Sequence, residues 1–125
     1  VIPMNKITLS LATLALVSSQ AFAECTSPEA PTVPDGSTAS MEDMLAGQKS
    51  VKAFQEANLA YMQCLEEGYT AAEAAAKTGT EEEMAAAQEA YTKGIDAYNN
   101  AVSKEEEVAG QFNIEIREYK AANPG

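Results

Sequence analysis

Histidine and tryptophan are absent from this 125-residue chain, and the missing histidine does the more excluding. It removes both the usual general base of enzyme sites and the commonest zinc ligand. No glycine-rich phosphate loop, G-x-S-x-G elbow or calcium-loop spacing is present either. Basic side chains are scarce, eight Lys and Arg against 19 Asp and Glu, for a net charge of −11. That balance argues against nucleic acid and anionic membrane surfaces, whose binding is driven by Lys and Arg. Long apolar runs are lacking too. The one apolar-rich stretch, Ile7 to Val17, is too short to span a hydrocarbon core of roughly 30 Å.

What that stretch does suit is export. Met4-Asn5-Lys6 gives a short positive start, and Ser18-Ser19-Gln20 leads into Ala21-Phe22-Ala23, the small-x-small pattern of a signal peptidase site. The reading is a cleaved secretory signal over residues 1–23, with Val1-Ile2-Pro3 set aside upstream of Met4; a retained membrane anchor is the alternative. A lipid anchor on Cys25 would want a small residue before it, and Glu24 stands there. Losing Lys6 with the leader leaves seven basic against 19 acidic side chains, net −12, in 102 residues. That is enough chain for one domain with a modest core, expected in the periplasm or the secreted medium.

Proline is confined to the start and the end of this domain. Pro28, Pro31 and Pro34 favour an extended arm over residues 24–39, and Pro34-Asp35-Gly36-Ser37 predicts a turn, with glycine at a positive φ. From Ser40 the chain is alanine-rich and free of proline up to Pro124. Ser40 with Asp43 and Thr80 with Glu83 are capping signals, the second the better match. Thr78-Gly79 supplies a stop between them, and Asn123-Pro124-Gly125 a stop at the end. Glu73–Lys77 and Glu89–Lys93 have the favourable acid-first order. The fold class is all-α: an antiparallel, coiled-coil-like two-helix hairpin over residues 40–125, carrying the arm at its N-terminus.

Seven-residue spacing supports the hairpin. Met44, Val51, Asn58, Leu65 and Ala72 repeat on the first helix, with Phe54, Tyr61 and Ala75 three positions later. On the second helix Met84, Tyr91, Tyr98, Phe112 and Tyr119 repeat, interrupted by Glu105, with Ala87, Ala101 and Val108 alongside. Folding about Gly79 sets Leu65 near Ile95, Tyr61 near Tyr98 and Val51 near Val108. Gly68 threatens the first helix, and the strand-like alternation from Phe112 to Arg117 threatens the second. Continuous helices are favoured at both places, because the seam runs on through Gly68 and a lone strand has no partner.

The two cysteines allow one intramolecular pairing. Cys64 lies 24 residues beyond Ser40, about 36 Å along a helix, and Cys25 lies 15 residues before it, about 46 Å of polyproline-like chain. The arm can therefore double back past Ser50, Ala57, Ala90 and Ala97 and close a Cys25–Cys64 disulfide. An intermolecular bridge is the alternative. A redox role has no C-x-x-C or neighbouring histidine to support it.

No catalytic residues are assigned. The acidic clusters Glu66-Glu67, Glu81–Glu83 and Glu105–Glu107 read as solvated helix faces, since adjacent residues diverge around a helix. Glu105 falls on the seam near Phe54, and Asn58 reads as a register-setting polar residue. Met41 and Met44, an M-x-x-M beside Glu42 and Asp43, form a weak candidate for Cu(I), whose preference is for soft thioethers; ordinary core packing is the competing reading. No cofactor is implied. Opposite the arm, Met62, Tyr69, Ile95, Val102 and Ile116 form an apolar flank that a lone hairpin leaves wet, and which would suit a protein partner or a second copy.

The Cys25-Thr26-Ser27-Pro28 arm, the Pro34-Asp35-Gly36 turn and Tyr61-Met62-Gln63-Cys64-Leu65 resemble short exported bacterial helical proteins that carry no assigned activity. The resemblance covers the arm and first helix and speaks to architecture alone. The function expected is that of a non-catalytic exported helical protein, acting by protein–protein interaction or self-association. The alternative is a cation or Cu(I)-binding envelope protein using Met41, Met44 and the acidic faces.

Overall fold

A capping box opens the first helix. Ser40 Oγ accepts from the Asp43 N–H at 3.1 Å, and Asp43 Oδ2 accepts from the Ser40 N–H at 3.2 Å. The computed structural model describes residues 25–125, and the expected leader lies outside them. Within them the chain is all-helical: α1, Met41–Ala75, and α2, Glu81–Ala122, pack against each other as an antiparallel hairpin. The helices are about 53 Å and 63 Å long at 1.5 Å per residue. α1 stops at Ala75, and Gly79 takes φ 104° in the connection, a conformation that suits glycine. Thr80 Oγ1 then caps α2 by accepting from the Glu83 N–H at 3.1 Å. Its three glutamates place negative charge at the positive end of the helix.

Both doubtful places are helical. α1 runs through Gly68 with that glycine buried in the seam. α2 runs through Gly110, and helical spacing turns Phe112 and Glu115 inward while Ile114 is left 42% exposed. A strand would have put Phe112, Ile114 and Ile116 on one face. Of the two acid-first pairs, Glu89 and Lys93 meet at 2.8 Å. Glu73 and Lys77 make no ion pair, because the helix ends before Lys77 is reached.

The seam follows the heptads closely on α1: Met44, Val51, Asn58, Leu65 and Ala72 are all buried. Asn58 is 2% exposed and its Nδ2 donates to the Ala101 carbonyl at 3.0 Å, fixing the two helices in the register expected from folding about Gly79. Val51 and Val108 join Met44, Phe54 and Phe112 in the core cluster at the open end, where Val33 and Ala39 of the arm pack onto it. Toward the closed end three tyrosine rings meet. Tyr98 meets Tyr69 edge to face at 6.0 Å, and Tyr91 does the same from the other side. Tyr61 lines a hollow with Pro28, Ala97 and Ala101, the stretch of α2 that holds Tyr98.

The arm returns along the hairpin and is tied down by the Cys25–Cys64 disulfide, with the two Cα atoms 5.7 Å apart. Small residues admit it, above all Gly47, where a Cβ would lie 2.6 Å from Pro34 Cδ and 3.3 Å from the Phe112 ring. The turn is placed one residue later than Pro34 suggests. The Asp35 carbonyl accepts from Thr38 and Ala39 N–H at 3.2 and 2.8 Å, and Asp35 Oδ1 accepts from Ser37 N–H and Oγ at 3.0 and 2.6 Å. Gly36 has no positive φ, contrary to expectation. Glycine is required there for space: a Cβ would lie 2.8 Å from both the Glu115 carbonyl carbon and the Tyr119 nitrogen.

Candidate functional site

The end of the hairpin where the turn meets α2 gathers most of the unusual chemistry. Glu115 is buried, 8% exposed, and its Oε2 accepts the Gly36 N–H at 3.1 Å while Oε1 accepts from Gln111 Nε2 at 3.4 Å. Asp35 and Glu118 bring their carboxylate oxygens to within 4.8 Å of one another and of Glu115. This is the group of described residues with a geometry that a hard, oxygen-seeking cation could use. Proximity has a cost. The charge on Glu115, followed by desolvation, holds the Glu118 carboxyl above the usual carboxylate range. Asp35 moves the other way, its anion stabilised by the side-chain and backbone hydrogen bonds from Ser37.

Glu115 is legible in the heptads. It follows Ala101 and Val108 at the same seven-residue step, so the seam itself places it inward. Sequence reasoning singled out Glu105 instead, and that side chain is only half-buried.

Beside this cluster, on the other side of Phe112, lies an apolar groove of about 290 Å³. Met41, Met44, Leu45, Phe112, Ile116 and Tyr119 line it, with Gln48 and Lys120 at its rim. Met41 and Leu45 are each 57% exposed, the most exposed large apolar side chains among the described residues. They stay outside because the seam at this end is already filled by Met44, Val51, Phe54, Val108 and Phe112.

The interaction residues expected from the sequence are distributed differently. Met62 is buried in the seam, so it offers no free surface. Tyr69 is half-buried between Tyr91 and Tyr98. Burial and the nearby Glu66 raise its phenol above its ordinary pKa. Ile95 and Val102 are half-buried, and Ile116 reaches the groove. The five therefore do not make one wet stripe, and the exposed large apolar side chains among the described residues are Met41, Leu45, Leu59 and Ile114. Met41 and Met44 share the groove but not an environment, since Met44 is 6% exposed and packed in the core.

No helix among the described residues is long and apolar enough to cross a membrane. Comparison of the chain with protein-family models, with curated proteins and with solved structures finds no match.

Proposed function

We propose that this protein is a non-catalytic, disulfide-braced helical hairpin that acts by binding protein, in the periplasm or outside the cell. The observation that carries the reading is the groove at the open end. In a chain of mean hydropathy −0.24 and net charge −11, two large apolar side chains stand more than half exposed beside Phe112 and Ile116. Contiguous exposed apolar surface of this kind usually marks an interface. The disulfide supports the compartment, since such bonds persist where the surroundings are oxidising.

The test is association of the purified protein with itself and with components of its own exported fraction. Cross-linking and sedimentation should show a complex, and Met41→Glu, which charges an exposed wall of the groove without entering the core, should weaken it. A protein that stays monomeric, captures nothing, and is indifferent to Met41→Glu would dispose of the reading.

A further inference from the structure

The outer face of α1, away from α2, carries a charge pattern that its own reverse complements. Its N-terminal half presents Leu45, Lys49, Lys52 and the acid Glu56, and its C-terminal half presents Glu66 and Glu67, with Leu59 standing 54% exposed between them. None of these five charged side chains is committed to an ion pair among the described residues. Shallow hollows mark both halves, one bordered by Leu45, Lys49 and Lys52 and the other by Glu66, Glu67 and Ala74. Leu45 and Gln48 belong both to the first hollow and to the apolar groove, so the face continues from that groove without a break.

Resting on the reading of this chain as an interaction protein, we propose that a second copy docks on this face, α1 against α1, antiparallel about a twofold axis at the Leu59–Ala60 midpoint. A twofold contact must be self-complementary, each residue facing one whose partner faces it in turn. At this axis Lys52 lies opposite Glu67 twice over, Glu56 opposite Gln63, and Leu45 opposite Ala74. Turning the copy to run parallel would set lysines on lysines and glutamates on glutamates. The charges thus select one orientation, and the small Ala60 and Ala74 allow Leu59 and Leu45 to approach the partner backbone.

Area sets the strength. A strip of about 45 Å at 1.5 Å per residue, and about 10 Å wide, covers roughly 450 Å² per copy. That is below the roughly 800 Å² per partner of a standard stable interface. The dimer is therefore weak, dependent on concentration and sensitive to salt, since exposed pairs are screened within about 3 Å at 1 M ionic strength.

Charge reversal tests the proposal on folded protein. Sedimentation of the wild-type chain over a wide concentration range at low salt should show a reversible dimer that dissociates at 1 M salt. Lys52→Glu alone and Glu67→Lys alone should each weaken it about tenfold, because each sets like charges opposite at both symmetric positions. An equimolar mixture of the two variants should recover a heterodimer, and the double variant a homodimer. Circular dichroism checks that the helices persist in each. A wild-type protein that stays monomeric, or a dimer indifferent to these reversals, overturns the proposal. If Met41→Glu still abolishes binding in either case, the broader reading survives and this face alone is discarded.

Discussion

The Gly36 N–H donates to Glu115 Oε2 at 3.1 Å, joining the turn of the arm to the second helix across 79 residues of chain. The contact has no slack, since Gly36 rests on the backbone of α2 itself. Gly36→Ala must therefore push the turn off the helix, and Glu115→Ala leaves a buried N–H without an acceptor. The second change should cost about 1–3 kcal/mol, the penalty of an unsatisfied buried donor. Glu115→Gln keeps a carbonyl acceptor and should cost less. Urea unfolding of the three variants with the disulfide intact checks the order, with Gly36→Ala expected to be at least as damaging as Glu115→Ala.

The Cys25–Cys64 bridge closes a loop with a sequence separation of 39. The chain-entropy account assigns such a loop about 4 kcal/mol of stabilisation. A Cys25→Ser, Cys64→Ser variant should remain helical but unfold at much lower urea concentration. Its arm should become open to protease, because Pro34 against Gly47 and Gly36 against Glu115 are then the main remaining ties. Intact mass with and without reductant reports whether the isolated protein carries the bridge.

Asn58 occupies the seam position where the arm, α1 and α2 come together, and its amide is matched to one carbonyl. Asn58→Asp replaces a satisfied amide with a carboxylate facing the Ala101 oxygen. Burial penalises the anion, so the folded-state pKa of the new carboxyl lies above its unfolded value. Its protonated form is tolerated below the unfolded value, and stability is lost as pH rises through the folded one. The variant should be destabilised by several kcal/mol at neutral pH and recover much of that in acid, measured by thermal unfolding at both.

The seam and the caps could be read from residue order because they are local or strictly periodic. Ser40 with Asp43 needs only three residues, and Met44 to Ala72 needs only a seven-residue step. The bridge was reachable because arm length and helix rise are fixed by covalent geometry. What sequence did not reveal was set by crowding between distant segments. Gly36 looks like a turn glycine until α2 is placed against it, and Met62 looks like a flank residue until the packed hairpin buries it. The groove likewise depends on packing. Met41, Leu45 and Ile116 lie on three different heptad rows, and only the packed hairpin assembles them.

Tyr69 gives a spectroscopic test of the closed end. Its ring meets Tyr91 and Tyr98 edge to face, and burial with the charge of Glu66 behind it raises its phenol. An ultraviolet pH titration should show a late-ionising phenol that is lost in Tyr69→Phe. Tyr69→Ala should destabilise by more than Tyr69→Phe, since each edge-to-face pair contributes about 0.5–1.5 kcal/mol beyond burial. The absence of tryptophan keeps the tyrosine signal clear of overlap.

Asp35 and Glu118 should act on acid stability in opposite directions. The folded-state pKa of Asp35 is lowered by the hydrogen bonds from Ser37, so its contribution is present above the unfolded value near 3.8 and lost as pH falls through the folded one. The Glu118 pKa is raised, first by the charge of Glu115, so its contribution is present below the unfolded value near 4.5 and lost as pH rises through the folded one. Glu118→Gln removes a repelling charge and should raise the unfolding temperature at neutral pH while leaving it little changed in acid. Asp35→Asn should lower it at neutral pH and converge with wild type in acid. Thermal unfolding across that pH range, with the bridge intact, separates the two. Equal responses of both variants at every pH would mean that the Ser37 hydrogen bonds at Asp35 and the Glu115 charge at Glu118 do not act in opposite directions.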